Sequence, residues 1–428
     1  MSIPVPYSEF PRRTPIADRL VRYARIPTAS DPESAASPSS GKQLVLAKLL
    51  EKELLELGLE DVKLDAFGIV SATLPASAGC EGRPAMALLA HMDTSPEASD
   101  SPVFPQVAGR WDGTPIALNA EKGLFLSPEV FPELLAHRGE DILCTDGTTL
   151  LGADDKAGIA AIMEAASWFA SHPEVPRPRV RILFTPDEEI GRGTENVKVS
   201  EIGAAFGFTI DGGEVAGLES ETFNAAEARV TFTGISVHPG SAKGKMVNAV
   251  KLASRFVSLL PQSESPEETE GREGFWHPTE LTGSVEKATL KLIIRDHSRE
   301  KFEERKAFLA KLASEFDSGR APKPACEIRD QYRNMADFMA GHEDVLELAR
   351  AALRKAGLEP VEEPVRGGTD GAFLSAAGLP CPNLFTGGLN YHGIYECIPI
   401  QSLEKAGETV KNLIALAAGE PSPSTEAA

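Results

Sequence analysis

The sequence has little cysteine and no cysteine motif. Its five cysteines are an odd number, they are widely spaced, and no two form a Cys-x-x-Cys pair. This argues against both a disulfide framework and a thiolate metal site. The sequence also lacks any run of about 18 apolar residues, and its N-terminus has no apolar segment preceded by basic residues. We therefore expect a cytoplasmic protein with reduced thiols and no association with a membrane.

Positive charge is also scarce. The chain has 43 Lys and Arg against 63 Asp and Glu, a net charge of −20, and no Lys/Arg cluster is long enough to overcome that field locally. Because proteins bind nucleic acids largely through the phosphates, we expect no nucleic-acid partner. A length of 428 residues, with 42% hydrophobic and 25% charged residues, is typical of a globular protein with two or three domains.

The order of the predicted elements indicates two domains, one inserted into the other. Strands and helices alternate up to about residue 210, which is typical of an α/β domain. Residues 227–331 instead follow the order β-α-β-β-α-β, the ferredoxin-like arrangement. The predicted fold class is therefore α/β, a mixed, mainly parallel sheet with helices on both faces, with an inserted α+β ferredoxin-like domain.

The domain boundaries follow from this order. The larger domain is predicted to comprise residues 1–220 and 332–420, and the inserted domain residues 221–331. The tail, 421–428, is predicted to be disordered. Segment 95–147 is rich in proline and is predicted to form short strands and loops.

Polar side chains follow the ends of predicted strands at five places. They are His91 with Asp93, Asp154, Glu188 with Glu189, Asp211, and His392. Each has an ordinary explanation by itself: a packed histidine, a solvated strand end or, for Asp154 and Asp155, a helix cap. Together they are nitrogen and oxygen ligands without a thiolate, which suit two zinc or similar divalent ions about 3.5–4 Å apart. Catalysis would also need one carboxylate free of metal as a general base.

Seven segments closely resemble the peptidase T family. They are LLAHMDTSP (88–96), LLGADDKAG (150–158), FTPDEEIGRGT (184–194), IDGGE (210–214), SVHPGSAKGKMVNA (236–249), RGGTDGA (366–372) and NLFTGGLNYHG (383–393). The resemblance runs over about residues 5–417. It implies a cytoplasmic aminopeptidase that holds two Zn²⁺ ions per subunit, with Co²⁺ or Mn²⁺ as substitutes, and removes the N-terminal residue of tripeptides. The wider superfamily includes carboxypeptidase G and the aminoacylases.

The resemblance implies a role for each candidate residue. His91 and Asp211 would bind one zinc, Glu189 and His392 the other, and Asp154 both, while Glu188 would be the general base and Asp93 would orient His91. It also implies a cis peptide bond between Asp154 and Asp155.

The resemblance further assigns residues in the inserted domain, which would be a lid and dimerisation domain. His238 would complete the site and help to stabilise the oxyanion, although by itself it is a turn residue before Pro239. Arg295 and Arg366 would bind the substrate carboxylate, for which a guanidinium is suited, although Arg295 could equally be an exposed strand charge. Segment 95–147 would limit the space for longer peptides. We expect a homodimer whose substrates are short peptides, chiefly tripeptides.

The same candidate residues are also compatible with other functions. A dipeptidase, a carboxypeptidase or an N-acyl amino acid deacylase would use the same scaffold. A metal-binding protein without catalytic activity is a more distant alternative, because a binding module would not need the free base Glu188.

Overall fold

The computed structural model describes residues 1–419, so the predicted disordered tail, 421–428, lies outside the described residues. The chain forms two compact units. Unit 1 comprises Met1–Ser220, Met339–Glu363 and the residues from Thr369 onward, and unit 2 comprises Glu221–Phe338 and Pro364–Gly368. Within the described residues, no helix is long and apolar enough to cross a bilayer.

The elements are labelled in chain order. The strands are β1 (Val5–Pro6), β2 (Glu60–Leu64), β3 (Val70–Leu74), β4 (Met86–His91), β5 (Gln106–Ala108), β6 (Ile116–Asn119), β7 (Leu124–Leu126), β8 (Ile142–Cys144), β9 (Val180–Thr185), β10 (Phe206–Gly212), β11 (Leu218–Glu219), β12 (Asn224–Thr233), β13 (Phe275–Gly283), β14 (Lys287–Asp296), β15 (Ala325–Tyr332), β16 (Asn383–Phe385) and β17 (Cys397–Pro399). The helices are α1 (Pro15–Ala24), α2 (Gln43–Glu56), α3 (Ala153–Ser171), α4 (Val199–Ile202), α5 (Ala249–Val257), α6 (Arg299–Glu315), α7 (Ala336–Met339), α8 (Glu343–Lys355), α9 (Asp370–Ala376) and α10 (Ile400–Ala417).

Unit 1 is built on a seven-stranded sheet in the order β11-β16-β10-β4-β9-β3-β2. Its four middle strands, β16, β10, β4 and β9, are parallel, and the strands on either side of them are antiparallel. Strand β4 is buried along its whole length, as its apolar sequence predicts. This confirms the mixed sheet. Since parallel strands end at one edge, the residues that follow these four strands meet there.

Helices cover both faces of this sheet, as predicted. Helices α1, α3 and α10 pack together, and α3 lies on β4 and β10. On the other face, Ile202 of α4 and Leu374 of α9 pack against Ala87 and Leu89 of β4. Gly158 marks a close approach in α3, because a Cβ there would lie 1.8 Å from the carbonyl oxygen of Ile210 in β10. Glycine therefore lets α3 begin directly beside the end of β10.

Segment 95–147 forms short strands and loops, as predicted. Strands β5 and β8 join β1 and β17 in a four-stranded antiparallel sheet, and β6 pairs with β7. The pairing of β8 with β17 ties the start of the last helix, α10, to this segment.

Unit 2 has the order β12, α5, β13, β14, α6, β15, which confirms the ferredoxin-like prediction. All neighbours in its sheet, β13-β14-β12-β15, are antiparallel. The two helices begin at capping residues, Asn248 and Ser298, whose side chains accept backbone N–H groups of the first turn. Phe232, Phe256 and Phe316 pack edge to face between the sheet and the helices.

One local prediction was wrong. Residues 150–152 form a buried loop, so Asp154 follows a loop and not the predicted end of a strand. The segment RGGT (366–369), whose glycines are typical of a loop, leads directly into helix α9.

Candidate metal centre

His91, the last residue of β4, has a partner at each ring nitrogen. Its Nδ1 lies 3.0 Å from the backbone oxygen of Asp93 and 3.4 Å from Oδ1 of the same residue. Its Nε2 lies 2.9 Å from Oδ1 of Asp154 and 3.4 Å from Oδ1 of Asp211. With Nδ1 beside an acceptor, Nε2 is the nitrogen that faces the two carboxylates, and it is the one that would ligate a metal ion held between them.

His392 lies beside two carboxylates in the loop after β16. Its Nε2 is 2.9 Å from Oε2 of Glu189 and 3.3 Å from Oδ2 of Asp154. Its Nδ1 is 3.6 Å from a carboxylate oxygen of the exposed Glu97. The imidazole is therefore oriented like that of His91, with Nε2 toward the carboxylates.

Asp154 joins these contacts into one centre, since its Oδ1 faces His91 and its Oδ2 faces His392. Two groups of side chains could each hold a metal ion: His91 with Asp154 and Asp211, and Asp154 with Glu189 and His392. Within each group, one ligand atom per residue lies within 4.8 Å of the others. The peptide bond between Asp154 and Asp155 is cis, as the resemblance implies.

The donor set fits divalent cations. One carboxylate oxygen of Glu189, Oε1, is buried and has no hydrogen-bond partner among the described residues. Buried carboxylates are unfavourable unless positive charge lies beside them. Imidazole nitrogens and carboxylate oxygens without a thiolate are the ligands of zinc and of other divalent ions of similar hardness.

The pKa values report the same need for positive charge. Burial raises the pKa of Asp211 to about 7, against the opposing effect of His91. Hydrogen bonds to Asp154 and Glu189 raise the pKa of His392 to about 11. Although burial acts in the other direction, the two histidines hold the pKa of Asp154 below its usual range. Protonated imidazoles or bound cations can supply the charge that these carboxylates require.

Glu188 lies next to this centre but belongs to neither group of ligands. Burial holds the pKa of its carboxyl well above the usual range, and neighbouring carboxylates, foremost Asp211, add to the rise against the effect of His91. Its backbone N–H donates to Oδ1 of Asp93 at 3.0 Å, and that of Glu189 donates to Oδ2 at 3.1 Å. Asp93 therefore positions both glutamates as well as contacting His91.

Two further carboxylates support the centre, and sequence reasoning gave them no role there. Asp155 accepts the N–H of His91 at 3.1 Å and that of Gly158 at 3.1 Å, so it ties β4 to the first turn of α3. Asp187 accepts the N–H of Ser39 at 2.7 Å and the side-chain amide of Gln43 at 2.7 Å, just before Glu188. Both are adjacent in sequence to predicted site residues. This is the only signal for Asp187, whereas Asp155 is also a candidate helix cap, and its contact with the N–H of Gly158 is of that kind.

The three remaining predicted residues lie in unit 2. His238 is exposed, and its Nδ1 accepts the N–H of Gly240 at 3.1 Å. Arg295 is half-buried and donates to the backbone oxygens of Ala226 and Ile294. Arg366, also half-buried, donates at 2.9 Å to two backbone oxygens and at 2.8 Å to a threonine hydroxyl, and it lies over two phenylalanine rings. Each of the three thus has a defined local setting within unit 2.

The fold and the centre define a class of protein: a hydrolase that could hold two metal ions at the carboxyl edge of an α/β sheet, with one aspartate shared between them. A family model described as Peptidase family M20/M25/M40 matches residues 151–416. A protein described as Peptidase T from Geobacillus kaustophilus is 48% identical over 405 residues, which are 94% of this chain and 98% of that protein. The chain therefore belongs to the M20/M25/M40 peptidases, within their peptidase T group, and is a peptide-bond hydrolase.

Solved structures show the same fold. An aminopeptidase PepT from Bacillus cereus has a TM-score of 0.72 at 22% identity and covers 94% of this chain and 98% of its own. A tripeptidase from Staphylococcus aureus has a TM-score of 0.73 at 21% identity, with 95% and 98% covered. The similarity to the peptidase T family, predicted from seven short segments, is confirmed over nearly the whole chain by the relative that is 48% identical.

Proposed function

We propose that this protein is a tripeptide aminopeptidase that uses two Zn²⁺ ions, with Co²⁺ or Mn²⁺ as substitutes. The proposal rests mainly on the two groups of possible metal ligands, which share Asp154. Glu188 lies next to these groups and belongs to neither of them. The relatives named Peptidase T and the structural neighbours named aminopeptidase and tripeptidase support this assignment.

The proposed metal ligands divide into two sets. His91 and Asp211 would hold one cation, Glu189 and His392 the other, and Asp154 both. When bound, two such cations lower the pKa of water and polarise the scissile carbonyl.

Glu188 is the proposed general base. Its carboxylate accepts a proton from the attacking water, whose oxygen bonds to the carbonyl carbon of the first peptide bond. Glu188 then gives this proton to the leaving nitrogen as the carbon–nitrogen bond breaks, so that one amino acid and one dipeptide are released. Asp93 accepts the backbone N–H of Glu188 and also contacts His91. Asp93 would thereby fix the position of the general base relative to the metal ligand His91.

Unit 2 is the proposed lid. His238 would donate to the oxyanion, which an exposed imidazole held at Nδ1 by Gly240 is suited to do. Arg295 and Arg366 would bind the carboxylate of the peptide, and segment 95–147 would limit peptide length. The five free cysteines, four of them buried, suit the proposed cytoplasmic location.

Substrate choice tests the proposal directly. We expect the zinc-loaded protein to cleave Ala-Ala-Ala with a higher kcat/KM than Ala-Ala, and to leave N-acetylalanine intact. Release of alanine from the amino terminus is measured by chromatography of the products. Hydrolysis of N-acetylalanine alone would instead identify a deacylase, and hydrolysis of Ala-Ala alone a dipeptidase.

We also propose that the protein is a homodimer that forms through unit 2. Strands β13 and β15 are the edges of its four-stranded sheet, and an unpaired edge can pair with a second copy. Light scattering of the purified protein should give twice the chain mass of 45.7 kDa. A mass of one chain at all concentrations would contradict this proposal.

A further inference from the structure

Glu396 receives three backbone N–H groups from the loop that carries Asp154. Its Oε2 accepts from Leu151 and from Gly152, both at 2.7 Å, and its Oε1 accepts from Asp154 at 3.0 Å. Glu396 is 1% exposed, so these contacts are shielded from water.

The loop needs such an acceptor because its own backbone does not supply one. The N–H groups at the start of a helix have no partner within the helix. Here the start of α3 is irregular, since Gly152 has a left-handed φ of 77° and Asp154 has a non-helical ψ of 108°. Buried N–H groups left without acceptors destabilise the folded state. The carboxylate of Glu396 satisfies three of them at once.

Glu396 also connects the two ligand groups through the chain. It lies four residues after His392 and directly before β17, whose pairing with β8 anchors it. The segment from His392 to Glu396 therefore supplies one ligand, His392, and also accepts the backbone N–H of Asp154, which both groups share.

We propose that Glu396 is a positioning residue that holds Asp154 between His91 and His392 and thereby sets the metal affinity of both groups. This inference rests on the proposed two-metal function. A carboxylate is required because all three partners are donors and an ionised carboxylate only accepts. In Glu396→Gln one carboxylate oxygen is replaced by an NH₂ group. This group is a donor and would face at least one backbone N–H, which would then lack an acceptor.

The test is titration of the metal-free, full-length protein with Zn²⁺ by calorimetry, with a competing chelator. We expect Glu396→Gln to weaken Zn²⁺ binding by about 10- to 100-fold, the loss typical when a residue that supports a metal ligand is changed. At saturating Zn²⁺, kcat for Ala-Ala-Ala should fall while KM stays unchanged, because Glu396 would not contact the substrate. Glu396→Asp keeps the charge but is shorter, and it should show a smaller loss of affinity.

Asp141→Asn is the matched control. Asp141 is also a buried carboxylate of unit 1, and it accepts the N–H of Arg110 at 2.7 Å and the amide of Gln401 at 3.1 Å, neither of which is a proposed ligand. The Asp141→Asn substitution should lower the thermal stability of the metal-free protein without changing its affinity for Zn²⁺.

Two results would overturn the inference. One is wild-type Zn²⁺ affinity in both Glu396 variants, and the other is an equal loss of affinity in Asp141→Asn, which would mean that general destabilisation is the cause. Because the titration does not depend on catalysis, weakened Zn²⁺ binding in Glu396→Gln supports the inference even if no tripeptide is cleaved.

Discussion

Replacing Glu188 by glutamine is expected to lower kcat for Ala-Ala-Ala by about 10²- to 10⁴-fold, the usual contribution of a general base. The amide has nearly the same shape as the carboxylate but cannot accept a proton from water. Since Glu188 belongs to neither group of ligands, Zn²⁺ content should remain at two ions per chain. Steady-state kinetics and metal analysis of the same sample measure both quantities.

Glu195→Gln is a suitable control for this experiment. Glu195 lies in the same segment, is 62% exposed and pairs with Arg192 at the surface. This variant should keep wild-type kcat. Near-native turnover in Glu188→Gln, with two Zn²⁺ ions bound, would show that another group is the base.

Replacing Asp154 by asparagine is expected to weaken Zn²⁺ binding in both groups. Asp154 offers one oxygen to each group, and the amide leaves only one uncharged oxygen for the two. The loss of affinity should exceed the roughly 100-fold upper range seen when only a supporting residue is changed. Peptide hydrolysis should fall with it.

Thermal unfolding gives a second measurement of this prediction. A ligand at 100 times its Kd stabilises a protein by about 2.7 kcal/mol, so Zn²⁺ should raise the Tm of the wild-type protein. It should raise the Tm of Asp154→Asn far less at the same Zn²⁺ concentration. Asp146→Asn is the control, because Asp146 lies shortly before this loop and caps its own turn at the N–H of Thr148. Two Zn²⁺ ions bound to Asp154→Asn with wild-type affinity would exclude the shared role of Asp154.

The candidate residues could be predicted because their signals are local. His91 directly follows a fully apolar strand, and the carboxyl edge of a parallel sheet is where sites form. The order of elements in unit 2 likewise predicted its sheet, since alternation of residue types along each strand is read within a few positions. The resemblance to the peptidase T family added roles for His238, Arg295 and Arg366 that the residues themselves did not indicate.

The supporting residues could not be predicted because their partners are distant in the chain. Glu396 accepts from Leu151, which lies 245 positions earlier, and nothing near Glu396 in the sequence indicates that contact. The same holds for Asp187 and Gln43, which are 144 positions apart. The apolar run before Asp154 was also misread as a strand, because a buried loop whose N–H groups are satisfied by a distant carboxylate has the same composition as a buried strand.

The sequence by itself therefore determined the fold class, the family and the residues that could bind metal, since these depend on residue types and their order along the chain. Only the tertiary structure decided how those residues are arranged. The two oxygens of Asp154 face different histidines, and Glu188 belongs to neither group of ligands. Glu396 accepts backbone N–H groups of the loop that carries Asp154. The physical reason is that hydrogen bonds act over about 3 Å and metal–ligand bonds over about 2 Å in space, whatever the separation in sequence.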